Sequence, residues 1–234
     1  MQVFKSHPVM FDIACIRPWL IASFARPQRV VSWSLNRPGF ASVSRVAWLE
    51  VGNAELAGVE DPAAWFRQRL ASASLEDSVG LITARNVSCY EFAAADVEGV
   101  RAECLITLGL NNGETVGSRV NPAAHTFNAG TINILAAVSV PLTDAALLEL
   151  SSIATQARTA ALLSFGYRRP GMTDVVTGTG TDCIVVASPS EGSALLHAGM
   201  HTAAGEAVGK AVREATLAAA DAWLAARRLA GLEP

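Results

Sequence analysis

The chain has 234 residues, 51% of them apolar and 17% charged, with a formal net charge of −3. That is enough chain for a sizeable core. It lacks the basic stripe of a nucleic-acid binder and any apolar run near the roughly 18 residues of a membrane span. Asp12 and Arg17 interrupt the apolar start, against a signal peptide, so a cytoplasmic protein of one domain, residues 1–234, is expected. Cys15, Cys89, Cys104 and Cys183 lack paired metal spacing and read as buried thiols.

Val30–Ser34 and Val43–Val51 read as strands parted by the turn-rich Asn36-Arg37-Pro38-Gly39. Asp61 and Pro62 then start a helix as N-cap and first helical residue. Val79–Thr83 is a short strand. Ser88–Ala94 and Val100–Leu110 form a hairpin turned at Asp96-Val97-Glu98-Gly99. Thr131–Val140 is a strand bounded by Gly130 and Pro141. Thr143 or Asp144 caps the next helix, whose Leu147, Leu150, Ala154, Ala157 and Ala161 recur at helical spacing, with Gly166 just past its end. Asp182–Ser188 is a strand, and the last helix runs from Ala203 to Leu229. The fold class is therefore α/β (α+β), a mixed sheet covered by helices.

Three polar stretches interrupt this pattern: "LGLNNGETVG" (108–117), "HTFNAGTIN" (125–133) and "TGTGTD" (177–182). Thr131 to Ser188 reads as a β-α-β unit with parallel strands, so the last two stretches share one sheet edge. An antiparallel neighbour ending at Leu110 brings the first to the same rim. "HAGMHTAAGE" (197–206) begins at the opposite edge. Pro189 to Met200 is long enough, at roughly 40 Å extended, to bring it back. Glycines at a rim let backbone N–H groups approach a ligand closely.

"VGLITARNV", "ITLGLNN…VG", "AGTINILAAVSVPLTDAALLEL", "TGTGTDCIVVASP" and "AGMHTAAGEAVGKAV" together resemble the adenosylcobinamide amidohydrolase (CbiZ) family, most strongly over residues 61–229. Two departures stand out: "SLNRPGF" keeps Asn36 and Gly39 but inserts Arg37 and Pro38, and Met200 stands where the family commonly has lysine. The resemblance implies an enzyme of corrinoid salvage and cobalamin biosynthesis. Its reaction would be hydrolysis of the secondary amide joining the aminopropanol arm to the corrin ring of adenosylcobinamide, giving adenosylcobyric acid and 1-amino-2-propanol. The cobalt corrinoid is then the substrate, and no separate cofactor is expected; homo-oligomerisation is left open. A non-catalytic corrinoid-binding protein on the same fold is the alternative. A phosphate cradle at "TGTGTD" ranks last, because the loop leads into a strand and no P-loop lysine follows.

Amide cleavage needs an activated nucleophile, oxyanion donors and an acid for the departing amine. Asp182 is the expected base or orienting group, with loop capping as its structural alternative. His201 is the expected proton carrier. Glu206 joins it through the family's "HT…GE", although a carboxylate in a first helical turn is favoured anyway. Direct attack by water is preferred, since no Gly-x-Ser-x-Gly elbow occurs. The expected substrate-binding residues are Asn36, Asn111, Asn112, His125, Asn128, Thr131, Asn133, Thr177, Gly178, Thr179, Gly180, Thr181 and Thr202. The asparagine amides match the corrin's amide arms, and His125 reads first as a surface loop histidine, with contact to the open lower face of cobalt as the other option. His197 and His201 are four apart, but Gly199 stands where a zinc protease needs its glutamate, so no metal site is expected.

Overall fold

The computed structural model describes residues 9–52, 55–56, 58–118 and 130–232. In chain order the elements are β1 (Asp12–Ile16), β2 (Trp19–Ser32), β3 (Gly39–Glu50), α1 (Pro62–Ser72), β4 (Val79–Thr83), β5 (Glu91–Val97), β6 (Val100–Leu108), β7 (Gly113–Glu114), β8 (Ile132–Val138), α2 (Asp144–Phe165), β9 (Gly178–Thr179), β10 (Cys183–Pro189) and α3 (Ala203–Leu229). The principal sheet runs β4-β3-β2-β10-β8-β6-β5, with β1 on β2, while β7 and β9 pair as a separate ribbon.

Period-two alternation sorts the central strands onto two faces. Ile132, Ile134, Ala136, Ile184 and Val186 pack with Leu147, Leu150, Val208 and Val212 of the long helices. Leu135, Ala137, Cys183, Val185 and Ala187 instead join Leu20, Ala22, Val46, Trp48, Val79 and Leu81. The second grouping arises because β2 and β3 bend. Their register shifts between Ser23 and Gln28, and only Gln28–Val31 of β2 pairs with β10. The other halves, with β1 and β4, fold across the lower face of the central strands. α1 then closes the outside, with Phe66 and Leu70 against Ala47, Leu49 and Val51. Gly80 permits this approach, since a Cβ there would lie 2.6 Å from the Phe66 ring. The layers run helix, sheet, sheet, helix, so β8 and β10 are buried on both faces.

β8 and β10 are parallel, as the β-α-β reading requires, and β6 is antiparallel to β8. The β5–β6 turn is the two-residue Glu98-Gly99, both at positive φ (49° and 82°), the geometry of a tight hairpin. Thr143 caps α2 and Gly166 ends it at φ 76°. Several expectations change. β2 starts at Trp19, well before Val30, and Ser88 lies in a 3₁₀ turn (Val87–Cys89) ahead of β5. Cys104 and Cys183 are buried, but Cys15 and Cys89 are only partly so, because they lie on the edge strand β1 and the 3₁₀ turn. No helix among the described residues is long and apolar enough to cross a membrane.

Candidate functional site

The N-terminal edge of β8 and β10 gathers two of the polar stretches, 108–117 and 177–182, around the end of the other, residues 130–133. Gly113 of β7 pairs with Thr179 of β9, joining "LGLNNGETVG" to "TGTGTD". The Thr131 hydroxyl donates to the Thr181 carbonyl at 2.8 Å, and the Ile132 N–H donates to Asp182 Oδ1 at 3.0 Å. Gly130 lies against the backbone of 109–111; a Cβ there would sit 3.0 Å from both the Gly109 carbonyl and the Asn111 nitrogen. His125 and Asn128 fall outside the described residues.

Asp182 is the hub of this rim. Oδ2 accepts from Arg158 Nη1 and, at 3.0 Å, from the Thr179 N–H; Oδ1 accepts from the Thr179 hydroxyl and the Ile132 N–H. A carboxylate offers about four acceptor positions, and four donors fill them. The side chains of Asp182 and Arg158 are 9% and 11% exposed. Burial pushes the Asp182 carboxyl above its ordinary value, while Arg158 and the donors from Thr179 and Ile132 pull it down. "TGTGTD" therefore wraps its own aspartate, which is the capping role. Gly178 has to be glycine, since a Cβ would meet Asp182 Oδ2 at 2.7 Å. A general base needs an open lone pair facing substrate, and Asp182 presents none in this arrangement.

The other expected residues divide by where their polar atoms point. Thr177 is buried, its hydroxyl accepting from the Val116 N–H at 2.7 Å. Asn133 is 1% exposed and donates to the Ile82 carbonyl at 2.7 Å, tying β8 to the folded-over layer. Asn36 is consumed too: its Nδ2 donates to the Ser78 carbonyl and its Oδ1 accepts from the Gly80 N–H, both at 2.9 Å. These three are internal pins. Gly180, Thr181 and Asn111 lie on the exposed rim, with Asn112 half-buried beside them. Asn111 Oδ1 accepts from Arg227 Nη1 at 3.0 Å.

His201, Thr202 and Glu206 do not come back to this rim. Leu195 bonds Pro141 and Thr143 at the far ends of β8 and β10, and the Ala198 N–H donates to Glu149 Oε2 near the start of α2. α3 then runs the other way, since its Arg227 reaches Asn111. The seven residues of β10 alone separate the two edges by roughly 23 Å. The "HT…GE" stretch is a helix start. Thr202 is the N-cap, accepting from the Gly205 N–H at 3.0 Å. Gly205 leaves room for the Ala198 carbonyl, 2.7 Å from where its Cβ would stand. Glu206 pairs with Lys210 at 2.6 Å, and His201 is exposed.

Three residues at the rim were not anticipated. Arg158 lies among several polar residues of α2 and belongs to no motif. Glu114 sits on β7, with Oε1 3.9 Å from the Cβ position of Gly180 and no ion pair among the described residues. Trp33 donates its indole N–H to the Asp182 carbonyl at 2.6 Å. A cavity of about 550 Å³ is lined by Arg17, Pro18, Glu50, Val51, Gly52, Glu55 and Ala84, none of them rim residues. No group of three or more metal-ligating side chains occurs among the described residues.

The sequence profile of the family described as adenosylcobinamide amidohydrolase matches residues 3–228. The chain belongs to that family. It is 31% identical over 159 residues to the adenosylcobinamide amidohydrolase of Halobacterium salinarum, covering 68% of this chain and 63% of that protein. It is 36% identical over 91 residues to an uncharacterized protein of Methanocaldococcus jannaschii, covering 38% and 35%. The match thus spans less than two thirds of either relative. Among solved structures, a Pyrococcus horikoshii protein aligns at a TM-score of 0.43 and 12% identity, covering 86% of this chain and 76% of that one. The L-aminopeptidase D-Ala-esterase/amidase of Ochrobactrum anthropi aligns at 0.37 and 13%, covering 91% and 83%.

Proposed function

We propose that the protein hydrolyses the secondary amide linking the aminopropanol arm to the corrin ring of adenosylcobinamide, releasing adenosylcobyric acid and 1-amino-2-propanol. Supporting this most is the coincidence of a family match over residues 3–228 with the meeting of its polar stretches at one exposed rim. In this reading Asn111, Asn112, Gly180 and Thr181 bind the corrin's amide arms. The exposed backbone at Gly180-Thr181 supplies N–H groups to the oxyanion. Water attacks the carbonyl carbon, giving a tetrahedral intermediate whose collapse breaks the C–N bond and expels the amine with an added proton.

Glu114 is the described rim carboxylate placed to take the proton from that water and return it to the departing nitrogen. Asp182 and Arg158 act by holding the loop, and His201 and Glu206 have no part. His125, five residues before Gly130 in the chain, remains a proposed corrin contact, as does Asn128. The saturation of Asp182 favours one rival, a protein that binds corrinoid without cleaving it. Incubation of purified protein with adenosylcobinamide, with corrins resolved by mass, separates the two. Adenosylcobyric acid and free aminopropanol are expected; tight binding of an unchanged corrinoid would establish the rival.

A further inference from the structure

The turn from β2 into β3 carries three large apolar side chains that the cores leave out: Trp33 and Leu35 in the loop and Phe40 at the start of β3 are 50%, 51% and 48% exposed. The loop is firmly held. Asn36 ties it to Ser78 and Gly80 at the start of β4, and Arg37 Nη2 donates to the Glu76 carbonyl at 3.0 Å. The Trp33 indole N–H is committed to the Asp182 carbonyl, so one ring edge is fixed to the rim loop while much of the ring faces solvent. Clustered apolar exposure of this kind marks a binding surface, and a rigid aromatic face makes contact at low entropic cost.

The occupant follows from the rim, and the inference rests on the proposed function. The indole bond to Asp182 sets Trp33 next to Gly180-Thr181, so a bulky flat ligand whose amide arm enters at those residues extends over the exposed Trp33 ring. We infer that Trp33, with Leu35 and Phe40 alongside, is the platform for the flat apolar face of the corrinoid and sets substrate affinity. The contacting face is either the corrin ring or the adenine of the upper ligand, since both offer a planar surface to an indole.

The test uses the full chain and its Trp33→Ala and Trp33→Phe variants. Each is dialysed to equilibrium against adenosylcobinamide, and separately against cobinamide without the adenosyl group, with bound corrinoid read by its absorbance. Trp33→Ala should weaken binding by about fivefold to tenfold and raise KM in step, with kcat nearly unchanged. Trp33→Phe, which loses the N–H but keeps an aromatic face, should retain most of the affinity. Weakening confined to the adenosyl form assigns the platform to adenine; weakening of both assigns it to the corrin. Wild-type affinity in Trp33→Ala overturns the inference. So does a Trp33→Phe variant as impaired as Trp33→Ala, because the bond to Asp182 would then be the whole role. A wild-type chain that binds neither corrinoid defeats the proposed function first, and this inference with it.

Discussion

Replacing Asp182 with Asn tests the latch at the head of β10. The change removes the charge opposite Arg158 and turns one of two saturated acceptor oxygens into a donor facing donors. Because both partners are about nine-tenths buried, water offers little compensation. Breaking one side of a buried pair costs about 3–5 kcal/mol. In a chain of this length each kcal/mol lowers Tm by roughly 2–4 °C, so a fall on the order of 10 °C is expected. Against a mid-range total stability of about 10 kcal/mol the variant stays folded at 25 °C. Urea denaturation followed by far-UV circular dichroism gives the free-energy difference directly. A cycle with Arg158→Met sharpens it: on the Asp182→Asn background that second change should cost less than it does alone, with a coupling of about 1–3 kcal/mol. A single variant within about 0.5 kcal/mol of wild type, or strictly additive changes, would refute the latch.

Glu114→Gln should lower kcat by about 10²-fold, the usual scale for an acid–base group, with corrinoid affinity kept; normal turnover removes Glu114 from the mechanism. His201→Ala should leave turnover within about twofold, whereas Thr202→Ala should cost about 1 kcal/mol of stability as a lost N-cap; steady-state kinetics and thermal melts distinguish them. Glu50 gives a pH signature. Burial would raise its carboxyl, but the Arg17 guanidinium and the Val87 N–H outweigh that and hold it below its ordinary value. Stability from a depressed carboxyl is present above its unfolded pKa and is lost as pH falls through the folded one. Wild-type Tm should therefore drop more steeply than that of Glu50→Gln below about pH 4.5, and parallel curves would contradict this.

Period and capping carry most of the fold in the sequence. The Leu147–Leu150–Ala154 stripe, Thr143, Gly166 and the apolar run at 183–187 announce α2 and β10 because local chemistry and tertiary structure agree there. Read from the sequence, this sheet's first strand begins at Val30, and the bend of β2 is hidden, because the register shift between Ser23 and Gln28 exists only in pairing across the sheet. At the site, strand direction brings "LGLNNGETVG" and "TGTGTD" together, as topology alone requires. The direction of a side chain is not written in a motif. Asp182 resembles an exposed base in the sequence and is a saturated latch in the fold. "HT…GE" resembles a proton relay, but Thr202, Gly205 and Glu206 start a helix at the other edge. Arg158 and Trp33 carry no local signal, because each acts on a segment distant in the chain.

The proposed function rests on corrinoid binding at the edge where β8 and β10 begin. Hydrogen exchange read by mass spectrometry, with and without saturating adenosylcobinamide, addresses it directly. Added protection is expected in peptides covering 33–40, 108–117 and 177–183, with 195–206 unchanged. Protection confined to 195–206, with the rim peptides exchanging as in the free protein, would contradict it.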